Sequence, residues 1–404
     1  MGRRVGALLV VFTFLTACAH GDAGAIVEVE LDRSLSRAEI DAELPALFEA
    51  VQPPAARYDV DIHYLDFETM DLDGSAVSTR AQLFVPLLEE AERVPLYLFA
   101  PGSTGLTHGC RMSREHLINV DWGRYRVHGL AHAAQGSIVV MPDYMHSDVI
   151  GGIEPYFISI AEARVVLDAV RAARLFLVGS DYHAQPASGV FLAGYSQGGH
   201  AVFSAADLRD EYAPDVEIAG IIGYGPSTNV ENLFREWTVA APMVIYAYSR
   251  FYGEGQFDPA RMLADRWLDS LSHDVMTQCI GGIQGFYPLE PGPLFRPEFT
   301  EVLLDGRLAD EYPDIAELME ENNAGLSGHG IPVLILAGSD DIVVFPKSQT
   351  EFVTALCELG SPVRYRIYEG ARHDTRQIGF DEAVDWMRAR LDDEPPPSDC
   401  EQYR

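Results

Sequence analysis

The sequence predicts an α/β chain: a doubly wound, mostly parallel sheet with an inserted helical cap. Three observations predict it. Short apolar runs at Pro95–Ala100, Ser137–Met141 and Gly189–Ala193 have the length and composition of strands buried on both faces. Helical periodicity separates them, clearest over Ile158–Val178, where Ala161, Val165, Val166, Ala169 and Ala172 form one inward stripe. Between Tyr224 and Gly330 that rhythm stops, and a structureless loop of about a hundred residues is foreign to a compact domain, so this interval reads as an insertion.

Taken in order, Arg3 and Arg4 precede an apolar run, Val5–Ala17, that is shorter than the ~20 residues a membrane span requires. It reads as an export signal. Leu15-Thr16-Ala17-Cys18 closes the run and resembles the bacterial lipobox, in which the cysteine is lipidated and becomes the mature N-terminus. On that reading residues 1–17 are a signal peptide, Cys18 is a membrane anchor, 18–30 is a tether, and 31–404 is the folded body. The alternative is an ordinary cleaved signal. Ala19, rather than Asp, favours the outer membrane or cell surface if the cell is Gram-negative. Leu35–Val51 has helical spacing at Leu44, Leu47, Phe48 and Val51, with a kink or fresh start at Pro45. Ala81–Pro86 reads as a partly exposed strand. Further strands are expected at Ile218–Ile222, Pro332–Ala337 and Val363–Tyr368, and a closing helix at Phe380–Leu391. The insertion, about 225–330, holds helical patterns at Val230–Phe251 and Asp258–Ser272 and a Pro-, Gly- and aromatic-rich stretch at Gly282–Pro297. Its aromatics, from Trp237 to Tyr287, either line a pocket or form its own core. Residues 392–397 read as an extended tail.

Of 404 residues 48% are hydrophobic, enough for a sizeable core, and the net charge of −32 excludes nucleic acid as a partner. Beyond Cys18 four cysteines remain: Cys110, Cys279, Cys357 and Cys400. In an exported chain they imply disulfides, with three pairings open. No Cys or His cluster has metal-ligand spacing, so no metal is assigned.

The chemistry centres on Gly194-Tyr195-Ser196-Gln197-Gly198, directly behind the strand Gly189–Ala193. This G-x-S-x-G pattern makes a sharp strand-to-helix turn with the serine at its tip, and the glycines relieve the crowding there. A serine hydroxyl needs an adjacent base held in one tautomer by an acid. The strand at 332–337 runs into Gly338-Ser339-Asp340-Asp341, and the strand at 363–368 into Glu369-Gly370-Ala371-Arg372-His373. His373 is the expected base. Asp341 fits the Gly-x-x-Asp-x-x-Val pattern and is the favoured acid, with Asp340 the competitor. The oxyanion donors are expected to be the N–H of Gln197 and one from Pro101-Gly102-Ser103-Thr104-Gly105, with Ser103 favoured over Gly102.

Together with Pro142-Asp143-Tyr144, Gly199-His200-Ala201 and Leu356-Cys357-Glu358-Leu359-Gly360, these stretches resemble the secretory-lipase group of α/β-hydrolases, fungal lipase A-like enzymes and bacterial esterase relatives. The likeness runs from Tyr97 to Leu391. Where relatives begin the oxyanion loop with His-Gly, this chain has Pro101-Gly102. The resemblance implies carboxylic-ester hydrolysis, a helical lid and no cofactor, with a small-molecule or lipid ester as substrate. Asp143 is read as bracing a loop and His200 as starting the helix behind the elbow. A peptidase or amidase on the same fold and a non-catalytic lipid-binding lipoprotein are the alternatives.

Overall fold

The computed structural model describes residues 23–403; the expected signal sequence and Cys18 lie outside them. The chain runs through β1 (Ile26–Leu35), α1 (Arg37–Glu43), β2 (Val60–Met70), β3 (Ala76–Pro86), β4 (Glu92–Ala100), α2 (Tyr125–Ala134), β5 (Ile138–Pro142), α3 (Ser159–Val178), β6 (Ala184–Tyr195), α4 (Gln197–Tyr212) and β7 (Ile218–Tyr224). Beyond a helical stretch follow β8 (Val333–Gly338), a helix at Pro346–Glu358, β9 (Val363–Tyr368) and a last helix at Phe380–Leu391. The nine strands make one sheet in the order β1-β2-β3-β5-β4-β6-β7-β8-β9. β1 to β3 are antiparallel, β3 meets β5 antiparallel, and every pair from β5 to β9 is parallel.

Period-two alternation divides the sheet between two cores. In β4, Leu96, Leu98 and Ala100 join the core under α3 and α4, while Tyr97 and Phe99 join that under α2 and the last helix. β4 to β8 are covered on both faces, which is why their sequences are nearly continuous apolar runs.

Four expectations need correction. The stretch 18–30 is not all tether, because Ile26–Leu35 is an edge strand paired with β2. An edge strand borders only one neighbour, so Val27, Val29 and Leu31 stay exposed among glutamates, and the composition mimics a linker. The helix expected over Leu35–Val51 is α1, capped reciprocally by Ser36 and Glu39, followed by a single 3-10 turn at Pro45. Val230–Phe251 is broken into helices Val230–Glu236 and Ala241–Phe251, with Pro242 in the first turn of the second. Asp258–Ser272 is likewise short turns: Asp258 caps a 3-10 turn begun by Pro259, and Asp265–Leu268 is one helical turn. β2 was not anticipated either.

Among the described residues the connection between β7 and β8 contains helices and no named strand. Its aromatics mostly meet one another: Phe234 stacks on Phe295, and Trp267 packs against Phe286 and Tyr287. Two disulfides decide among the open pairings. Cys110–Cys279 ties the loop after β4 to this connection, and Cys357–Cys400 fastens the tail to the helix at Pro346–Glu358.

Candidate active site

β6 ends at Tyr195 and α4 starts at Gln197, so the whole reversal falls on Ser196, whose φ of 54° and ψ of −116° lie where non-glycine residues rarely go. The flanking glycines are required by contact. A Cβ on Gly194 would stand 2.0 Å from the Gly198 carbonyl oxygen, and one on Gly198 would stand 1.9 Å from that of Ala100. Neither obstacle is a side chain that could move aside. The Ser196 N–H donates to Tyr224 O, and the Ser227 N–H donates to Ser196 O, pinning the elbow to the turn after β7.

The loop after β8 carries Asp341, 3% exposed. Its Oδ1 accepts the N–H groups of Val343 and Val344 at 2.8 and 3.0 Å, which leaves Oδ2 for His373 Nδ1 at 2.9 Å. Because the carboxylate only accepts, the imidazole is assigned the Nδ1–H tautomer, and the lone pair sits on Nε2. That Nε2 is buried with no hydrogen-bond partner among the described residues. Asp340 points elsewhere: it is exposed and accepts from the Ser339 hydroxyl. The structure thus joins His373 to Asp341 and not to Asp340. His373 and Ser196 flank the same turn, where Gly225 at φ 52° leaves no room for a Cβ against the His373 ring. No hydrogen bond joins Ser196 to His373 in this state.

The loop bearing His373 is fixed from below by Arg376, fully buried against the rings of Tyr195 and Tyr125. It bonds Asp374 and the Gly123 carbonyl. Burial alone would raise the Asp374 carboxyl, but the adjacent guanidinium and its hydrogen bonds hold it below the ordinary value.

In the loop after β4 the Ser103 N–H has no hydrogen-bond partner among the described residues, nor has that of Gln197, and the Ser103 hydroxyl meets that of Tyr156 at 2.6 Å. Thr104 O accepts the Ile280 N–H beside the Cys110–Cys279 bridge, so the helical connection is fastened directly to this loop. Ser196 is 6% exposed. Asp143 takes the N–H and hydroxyl of Ser113, and so anchors the segment after Cys110. His200 lies under the elbow, bonded to Glu162 and Asn322.

The sequence reading missed Glu162, Glu154 and Arg376. A signal existed for the first: Glu162 sits on the inward side of a largely apolar stripe, beside Ala161 and Val165.

Residues 126–244, which include the elbow, match the secretory lipase family. A Mycobacterium tuberculosis protein bearing the name probable inactive lipase is 28% identical over 197 residues, 45% of this chain and 42% of that one; the match spans less than half of that relative. The rice cell wall degrading esterase LipA of Xanthomonas oryzae superposes with a TM-score of 0.74 at 18% identity, over 90% of this chain and 99% of that one. Candida antarctica lipase A in its closed state gives 0.62 at 18% identity, over 92% and 83%. The chain thus has the α/β-hydrolase fold, and the segment that holds its elbow matches the secretory lipase family model.

Proposed function

We propose that this protein is a serine hydrolase that cleaves carboxylic esters through Ser196, His373 and Asp341. The observation that carries the reading is the strained Ser196 elbow packed against the turn that also holds a histidine whose one ring hydrogen bond among the described residues is to a buried aspartate. Ser196 Oγ attacks the ester carbonyl while His373 Nε2 takes its proton. Asp341 holds the tautomer and balances the imidazolium. The N–H groups of Gln197 and Ser103 receive the oxyanion, both being without a hydrogen-bond partner among the described residues. The imidazolium then protonates the departing alcohol, and water releases the acid from Ser196 by the same steps. Catalytic hydrogen bonds often form only with substrate bound, so the open Ser196–His373 contact fits a resting state.

The relative named as probable inactive lipase supplies a direct challenge; Ser196, Asp341 and His373, all present in this chain, support the active reading. The helical connection acts as a lid, because it is bonded to the oxyanion loop at Thr104 and bridged to the segment behind it by Cys110–Cys279. Cys18 anchors the exported enzyme to a membrane; no helix among the described residues is long and apolar enough to cross one. Ser196→Ala should abolish turnover of a p-nitrophenyl ester and labelling by a fluorophosphonate. Retention of either by that variant overturns the assignment.

A further inference from the structure

Behind the elbow lies a closed set of polar side chains that the proposed mechanism does not use. Gln197 follows the nucleophile, and its side-chain amide donates to Glu154 Oε1 at 2.6 Å and Glu162 Oε1 at 2.8 Å. Glu162 Oε1 also accepts the N–H of Phe157, a non-glycine residue at φ 56°. Its Oε2 meets His200 Nδ1 at 2.6 Å, and His200 Nε2 meets the Asn322 carbonyl at 2.6 Å. All four side chains, Glu154, Glu162, Gln197 and His200, are at most 3% exposed.

The protons in this set can be counted. A backbone carbonyl only accepts, so His200 Nε2 must carry hydrogen toward Asn322. The short Nδ1–Glu162 contact then holds one proton, on either the ring or the carboxyl. Either way Glu162 Oε1 stays an acceptor, and it grips the Gln197 amide. Burial pushes the Glu154 carboxyl well up, which favours its neutral form as that second acceptor. The Gln197 side chain is therefore held by two acceptors, one of them fixed in turn through His200 to the chain at Asn322.

A buried apolar residue would fill this space without any of these desolvated groups, and two carboxyls beside one amide are costly to bury unless fully bonded. What the set fixes is the residue whose N–H receives the oxyanion. We infer that Glu162, braced by His200, is a positioning residue that holds Gln197, and hence its backbone N–H, in the orientation the oxyanion requires. The inference rests on the esterase reading above. Its chemical content is geometric: Glu162 touches neither substrate nor nucleophile, and acts through Gln197.

The test compares Glu162→Ala with Glu162→Gln, measuring kcat and KM per active site titrated with fluorophosphonate. A glutamine in place of Glu162 can accept from Gln197 and donate to neutral His200, so the grip survives. The expected result is a fall of about tenfold to a hundredfold in kcat for Glu162→Ala, with KM nearly unchanged and most of the loss restored in Glu162→Gln. Should Glu162→Ala not fold, Gln197→Ala is read the same way, because alanine suits a helix start and removes the gripped amide. Equal kcat per titrated site in the alanine variant and the wild type overturns the inference while leaving the esterase reading intact. An equal loss in Glu162→Ala and Glu162→Gln overturns it too. A wild-type protein that takes up no fluorophosphonate overturns the esterase reading, and this inference with it.

Discussion

In the parallel half of the sheet the candidate site is held by backbone, whereas the helical connection between β7 and β8 is held together by side chains. Gly194 and Gly198 touch main-chain carbonyls, Asp341 is aimed by two main-chain N–H groups, and Ser196 is pinned on both sides to the turn after β7. The connection, by contrast, is short helices around aromatic pairs, with one disulfide and one backbone hydrogen bond fastening it to the loop after β4. A backbone-built site tolerates no change of shape. A side-chain-built cover can be rebuilt for another substrate without disturbing the chemistry below it.

The largest effect should come from the sheet half. Gly198→Ala places a methyl where the Ala100 carbonyl stands, and neither the strand nor the helix can yield. A loss of more than about 4 kcal/mol is expected, read as failure to recover folded protein by circular dichroism. A variant that folds with wild-type stability would break the comparison. Next is Asp341→Asn. The amide keeps the shape but can donate to Nδ1, selecting the wrong tautomer, and kcat should fall on the order of 10⁴-fold while the melting temperature moves little. Activity within tenfold of wild type removes Asp341 from the mechanism.

The contrast also tells why one half was legible. Strands buried on both faces must be continuously apolar, so β4, β5, β6 and β8 stand out in the sequence, and Ser196, Asp341 and His373 follow β6, β8 and β9 in fixed chain order. β9 could be placed to the residue, and so could the last helix. β1 and the helical connection could not. An edge strand has no second neighbour to demand apolar residues, and helices of four to eleven residues leave few turns for periodicity to register. The disulfide pairing was unreadable for another reason: Cys110 and Cys279 are 169 residues apart, and only the fold brings them together.

Acid should act on the sheet half. Burial lowers His132 and His146, to about 3 each, with the charges of Arg111 and His108 adding to the effect on His146. Both are buried, His132 with neither ring nitrogen bonded. The folded form therefore resists protons that the unfolded chain accepts near pH 6.5. Stability is complete above that value and falls as pH drops toward 3, by about 1.4 kcal/mol per pH unit for each histidine. Urea midpoints measured from pH 7.5 to 4.5 should show this slope, and His132→Phe should reduce it. An unchanged slope in that variant would show that His132 is not held neutral.

The two disulfides offer a smaller, paired test. Replacing Cys110 and Cys279 together by serine should cost about 2–5 kcal/mol, and replacing Cys357 and Cys400 roughly 1 kcal/mol less, because the first bridge closes the longer loop. More telling is where the first loss appears. Protease should cut the helical connection before the sheet opens, and ester turnover should fall with that cleavage. If the Cys357–Cys400 pair proves equally important to turnover, the first bridge has no special role in holding the cover to the oxyanion loop.

The smallest effect belongs to the other aspartate of the loop. Asp340 is exposed, its carboxyl receives only the Ser339 hydroxyl, and its N–H is already held by Ala371 O. Asp340→Ala should therefore shift stability within about 0.5 kcal/mol, as exposed substitutions away from special features do. It should leave kcat within about twofold, since no bond from Asp340 reaches His373. Set beside Asp341→Asn, this substitution reads the same backbone loop one residue apart. A large loss at Asp340 would mean that the loop turns over when substrate binds, and that even the half of the site built on backbone is not fixed before catalysis begins.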